Sequence, residues 1–332
     1  APLPRFSRVT AFPTWRPEAD MQLFRSLIAT LLAAVGSVAL AAPMAYVPNE
    51  KSATVSVIDT ATDQRSADIP AGQRPRGIAA GPGYVYLTDA KTGSLLIVDT
   101  TTGQLIKTVR VGDSPEGISL SADGKLLAVA VEDDNSVVLL TAPQGNELAR
   151  IKVQGKNPEH AVFSPDGRWL YVSAEEAEQV DVVDVSARQQ VSSIPVGKRP
   201  RGIGFLPDGS RAYVASEVTG KVFVIDVAQR RVIAEIKAGQ YPAGIAVHPD
   251  GKRVFVSNGR DPSVMAIDVV SNTVIATIEV GKRPWNMAIT PDGAKLYVAN
   301  GRSGSVSVID TVSFRKLADI EVGELPWGVS IR

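Results

Sequence analysis

The sequence predicts an all-β protein: a seven-bladed β-propeller with four antiparallel strands per blade, its ring closed by the C-terminal strand. Three observations carry that prediction. One unit recurs seven times at an almost constant period. Each copy reads as four short strands. The two ends of the array are complementary fragments of a single unit.

A segment of different character comes first. Met21-Gln22-Leu23-Phe24-Arg25 is a short, positively charged start. The apolar run LIATLLAAVGSVALAA, residues 27–42, follows and contains the small-x-small pattern Ala39-Leu40-Ala41. This order predicts a signal peptide over 21–41, cleaved after Ala41. The apolar run is interrupted by Gly36 and is short against the ~20 residues that span a bilayer, so no membrane span is expected after cleavage. Residues 1–20 show no hydrophobic period and read as a non-native or over-extended start. A single propeller domain is expected over 43–332, exported to the periplasm or secreted, and monomeric.

The array opens with MAYVPNEKSATVSVIDTATDQRSADI, which matches the second to fourth strands of the unit and lacks the first. The full unit runs Gly-x-x-Pro, an apolar stretch, Pro-Asp-Gly, an apolar stretch, a polar gap, then Val-x-Val-Ile-Asp. The prolines of Gly-x-x-Pro fall at 75, 115, 158, 200, 242, 284 and 326, intervals of 40 to 43 residues. Segments such as NMAIT, KLYVAN, SVSVID and VIATIEV alternate apolar with polar residues or are rich in β-branched ones, as strands require. The turns SADG, SPDG, LPDG, HPDG and TPDG join first strand to second. Their aspartates bond the local backbone, and their glycines supply φ > 0. The glycine of Gly-x-x-Pro is expected to permit the tight turn toward the axis, and its proline fixes φ where no ladder donor is needed. The last copy is followed only by WGVSIR, one strand, which should pair into the N-terminal blade and close the ring.

Composition removes several function classes. The chain has 332 residues, 35 basic and 35 acidic, and no cysteine. Disulfides, thiolate metal sites, a cysteine nucleophile and covalent haem attachment are excluded. A neutral balance gives no reason to expect nucleic acid.

The repeat resembles the YVTN-type β-propeller family, on Tyr297-Val298-Ala299-Asn300 and the looser Tyr213-Val214-Ala215-Ser216. The resemblance covers 44–332 and implies the fold. Exported seven-repeat members associated with pyrroloquinoline quinone-dependent catabolism are similar, and that likeness would bring a quinone cofactor into view.

In such a ring the inward loops, Gly-x-x-Pro, share one face with the loops between second and third strands, so a site is expected at the channel mouth. The inward loops carry Arg74, Arg76, Lys156, Lys198, Arg199, Arg201, Lys282 and Arg283 against Asp113, Glu116, Glu159 and Glu324. Glu132, Asp133, Asp134, Glu175, Glu176 and Glu178 are expected farther out. Basic residues at the mouth suggest an anionic ligand, since guanidinium matches carboxylate or phosphate. The plain alternative is a rim whose charges pair with one another. Trp285 and Trp327 follow the proline in the last two copies, and Tyr241 precedes one. They would either stack a planar ligand or pack between blades. His160 sits beside Glu159, where other units mostly have glycine, and with Glu116 or Glu159 it could form an acid–base pair or half a metal site. His248, in the HPDG turn of the opposite face, is expected to be exposed.

The first functional reading is therefore a non-catalytic exported propeller with no cofactor. It would hold a small anion or a periplasmic protein through Arg74, Arg76, Arg199, Arg201, Arg283, Tyr241, Trp285 and Trp327. The second is a lactonase-like hydrolase or lyase using His160 with Glu116 or Glu159. The third is a propeller binding haem non-covalently, with His160 as axial ligand.

Overall fold

The computed structural model describes residues 42–332; the expectations about a signal peptide and the start of the chain lie outside them. Strands β1 to β28, numbered in chain order, form seven four-stranded antiparallel sheets. Six sheets take four consecutive strands each. Their innermost strands are β4 (Pro75–Gly81), β8 (Pro115–Leu120), β12 (Pro158–Phe163), β16 (Pro200–Phe205), β20 (Pro242–Val247) and β24 (Pro284–Ile289). The seventh sheet is shared between the ends: β28 (Ser330–Ile331) pairs antiparallel with β1 (Met44–Asn49), with Ala45 opposite Ile331 and Tyr46 opposite Ser330. The ring closes as the complementary ends require.

Burial follows the blades. The second and third strands of each sheet are almost wholly buried, because neighbouring sheets cover both faces, whereas the fourth strands are largely exposed. The aromatic position of the second strand, Tyr86, Tyr171, Tyr213, Phe255 and Tyr297, holds the largest buried side chains between blades. The Asp-Gly turns form as expected. Gly124, Gly167, Gly209, Gly251 and Gly293 have φ of 70–78°. Asp166, for example, accepts the amide of Arg168 at 3.1 Å.

Gly-x-x-Pro works differently from the sequence expectation. From Gly155 onward its glycine is not left-handed. It is glycine because a side chain has no room: a Cβ at Gly239, Gly281 or Gly323 would lie 2.6 Å from the asparagine that ends a second strand, Asn258, Asn300 or Asn49. The left-handed residue is the one before proline. Ser114, Asn157, Arg199, Tyr241, Arg283 and Leu325 all have φ of 52–59°, a conformation non-glycine residues adopt at a cost. The geometry turns each carbonyl toward the amide that follows a second strand. Glu50 donates to Leu325, Glu132 to Ser114, Glu175 to Asn157 and Glu217 to Arg199, at 2.9–3.1 Å. The inward loop thus places a second ring of side chains at the mouth.

Two residues after the proline, glycine recurs because adjacent inner strands meet backbone to backbone near the axis. A Cβ at Gly202 would lie 2.5 Å from the Ala243 carbonyl oxygen, and one at Gly244 2.5 Å from that of Trp285. Gly202→Ala is expected to destabilise by about 1–3 kcal/mol through overpacking, measured as a lowered urea midpoint with unchanged slope. An unchanged midpoint would mean the inner strands can shift apart freely.

His248 departs from its expectation. It is only 7 % exposed, and its Nε2 donates to the Gly293 carbonyl oxygen at 2.9 Å. The neighbouring blade covers the turn.

Candidate functional site

Two rings of side chains meet at the mouth. The residue after each proline supplies Arg76, Glu116, Glu159, Arg201, Ala243, Trp285 and Trp327. The residue after the second strand supplies Glu50, Glu132, Glu175 and Glu217. Together with His160, Arg199 and Asn286 they line a cavity of about 270 Å³. Beneath it the channel continues as a cavity of about 130 Å³, and His160, Asn286 and Trp327 line both. These three form the floor of the mouth. They stand two, two and one residues after their prolines, and His160 and Asn286 occupy positions that are glycine in the other units.

The charges do not form the basic mouth expected from the inward loops. Six glutamates line the cavity with three arginines, and the two kinds interlock. Arg201 reaches Glu159 at 2.6 Å, Glu175 at 2.8 Å and Glu217 at 2.9 Å. Arg76 pairs with Glu116 and reaches Glu50 at 3.3 Å. Arg199 sits 3.2 Å from Glu175. Glu175, expected farther out, is buried in this network, and Glu132 joins it by accepting from Ser114 Oγ at 3.0 Å. Glu50 and Glu217 were not anticipated. The signal for them was available: aligning the units on the end of the second strand puts Glu50, Glu132, Glu175 and Glu217 at one repeat position.

So many buried carboxyls cannot all stay ionised. Burial, then the nearby Glu159, pushes Glu116 up to about 9. The same two causes push Glu175 up to about 7. Burial would raise Glu159 as well, but the guanidiniums of Arg201 and Arg76 outweigh it and hold that carboxyl below its ordinary value. Burial lowers His160, against the opposing pull of Glu159, and leaves the imidazole neutral near pH 7. The pocket therefore holds a protonated carboxyl, an ionised one and a neutral imidazole together.

His160 is positioned by packing and not by a hydrogen bond to its buried ring nitrogen. Its ring stacks on Trp327 with centroids 5.5 Å apart and planes 19° apart. Its Nδ1 is buried without a hydrogen-bond partner. Trp327, 8 % exposed, thus packs against the histidine instead of presenting an open platform. Trp285 is half-buried on the neighbouring blade, whose Asn286 amide donates to the Trp327 carbonyl oxygen. Of the other sequence candidates, Arg74 is drawn to Glu50 at 2.6 Å and does not line the cavity. Tyr241 lies outside it beneath the Arg260 guanidinium, and Arg283 lines a neighbouring cleft. Among the described residues, no three His, Asp or Glu side chains converge in a metal-binding arrangement; the carboxylates converge on guanidiniums.

Known structures share this architecture. A chain of hydrazine synthase from Kuenenia stuttgartiensis superposes with a TM-score of 0.74 at 23 % identity, over 80 % of this chain and 92 % of that one. A functionally unknown protein from Desulfotomaculum acetoxidans superposes with a TM-score of 0.75 at 17 % identity, over 87 % of this chain and 98 % of that one. Likeness at these identities concerns fold alone. No curated protein matches the chain. A family model, "Lactonase, 7-bladed beta-propeller", matches residues 39–191 and 185–317. That match overturns the expectation of a non-catalytic anion-binding module and favours the lactonase-like alternative. The chain belongs to the lactonase, seven-bladed β-propeller family.

Proposed function

We propose that the mouth cavity hydrolyses a lactone. The observation that supports this most directly is the trio of Glu116, Glu159 and His160, whose protonation states are held apart by their surroundings. Pairs of titratable groups so separated divide the roles of acid and base between them. In this reading His160 accepts a proton from water as the water oxygen bonds to the lactone carbonyl carbon. The acyl–oxygen bond then breaks, and the departing ring oxygen takes its proton from Glu116. His160 returns its proton to Glu116 or solvent, leaving a hydroxy acid. Glu159, ionised beside the imidazole, stabilises the imidazolium that forms. Arg76 and Arg201 supply positive charge where the carbonyl oxygen gains negative charge.

The test is a pH-indicator assay of the full chain against a panel of sugar and aliphatic lactones. Glu116→Gln and His160→Gln should each lower kcat by about 10²-fold or more while leaving the fold intact. Activity should also fall as pH rises through about 9, where Glu116 loses the proton it donates. Turnover of the best substrate within threefold of wild type in both variants would sink the assignment. A finer part of the same proposal is kinship with YVTN-type repeats, which Tyr297–Asn300 supports. Export is likewise proposed from the leader-like segment, and N-terminal sequencing of the mature protein, expected to begin at Ala42, tests it.

A further inference from the structure

Numbered from the sheet that holds β1, blades 6 and 7 break the pattern that neutralises the rest of the mouth. Blades 1, 3, 4 and 5 carry glutamate after the second strand, at 50, 132, 175 and 217. Blades 6 and 7 carry Gly259-Arg260 and Gly301-Arg302 instead. Where those four blades supply a counter-charge, these two have glycine followed by arginine.

The consequence is a cleft of about 600 Å³ lined by Arg260, Arg302, Lys282, Arg283 and Gln240 and by no carboxylate. The nearest acid to Arg283 is Glu217, at 4.0 Å. Arg260, Lys282 and Arg302 make no ion pair among the described residues. Two of the cations stack on aromatic rings, and main-chain hydrogen bonds tie the loops that carry them. The Arg260 guanidinium lies 4.0 Å over Tyr241, and that of Arg283 lies 5.6 Å over Trp285. Arg260 N donates to Gln240 O at 3.1 Å, Arg302 N to Lys282 O at 3.0 Å, and Lys282 N to Ser303 Oγ at 2.8 Å. Burial and the neighbouring guanidiniums of Arg302, Arg201 and Arg199 outweigh Glu217 and lower the hold of Arg283 on its own proton. Mutually repelling cations around a concave space are relieved by an anion with more than one charge.

We propose that this cleft binds a small molecule bearing two or more phosphate or carboxylate groups. It is a site separate from the carboxylate-rich central cavity, with Trp285 between them, and it stands whether or not lactone hydrolysis is the reaction.

Isothermal titration of the full chain with pyrophosphate and with citrate, at 0.15 M salt, tests it. At least one probe should bind, and Arg260→Gln/Arg302→Gln should weaken it by about tenfold or more. Arg302→Gln alone should give a smaller loss, which keeps the test usable if the double variant is poorly folded. Lys252→Gln/Arg315→Gln, at turns of the opposite face, should change affinity by less than about twofold. Preference for one probe identifies the oxyanion. No binding of either at millimolar concentration would overturn the proposal. So would an equal loss in the opposite-face pair, which would reduce the effect to net charge.

Discussion

Deletion of residues 327–332 is expected to lower Tm by more than about 10 °C, or to abolish folding. The segment is short, but it carries the ring closure. Arg332 and Met44 exchange backbone hydrogen bonds at 2.7 and 3.0 Å, and Trp327 N donates to Pro48 O at 3.0 Å. Ser330 Oγ accepts the amide of Ala80, on the next blade, at 2.9 Å. Trp327 and Val329 are buried. Removing a buried tryptophan alone costs about 3–5 kcal/mol, and each lost hydrogen bond about 1 more. That total rivals the whole stability of a typical domain, about 5–15 kcal/mol. The deletion also exposes an unpaired edge on β1, so aggregation should rise. Thermal melts of the full and truncated chains give the result, and a difference under about 3 °C would mean the ring holds without its clasp. Trp327→Ala separates a second role. It keeps the β28 pairing but removes the surface against which His160 stacks, so it should depress kcat more than its Tm alone explains.

The ring was legible because the periodicity repeats a physical constraint seven times. Six of the seven prolines begin an inner strand, and each Asp-Gly closes a hairpin. The complementary ends gave the closure. The site was legible only in part. His160 stands out because it replaces a recurrent glycine near the axis, and Glu116 and Glu159 because they fall at the variable position after the proline. The sign of the mouth could not be read, because nothing in the sequence shows that the acidic loops between second and third strands reach inward to the inward loops. Glu50, Glu175 and Glu217 come from the other loop set, and only the left-handed residue before each proline brings the two sets together. Local rules disfavour that conformation for Arg199, Tyr241 and Arg283, so nothing local announces it. The burial of His248 escapes the sequence for a related reason. A turn that is exposed in one blade taken alone is covered by the next blade in the ring.

Arg201→Met is the sharpest test of the charge network. It replaces a guanidinium that touches three carboxylates with an apolar chain of similar length. Breaking a buried pair by removing one partner costs about 3–5 kcal/mol, because the remaining charge is left buried and uncompensated. The cost should depend on pH in a fixed direction. Without Arg201, the carboxyl of Glu159 loses the first of the groups that hold it low, and Glu175 loses the first of those that oppose its rise. Glu159 then rises above the unfolded value near 4.3, and Glu175, already at about 7, rises further. A raised carboxyl favours the folded state at low pH, and that advantage is lost as pH climbs through the raised value. The deficit of the variant should therefore be small at pH 5 and larger at pH 8, read from urea midpoints at both. Equal deficits would mean that the arginine contributes through its aliphatic stem and not its charge. Arg201→Lys should recover only part of the loss, since one ammonium cannot span the three carboxylates that the planar fork engages.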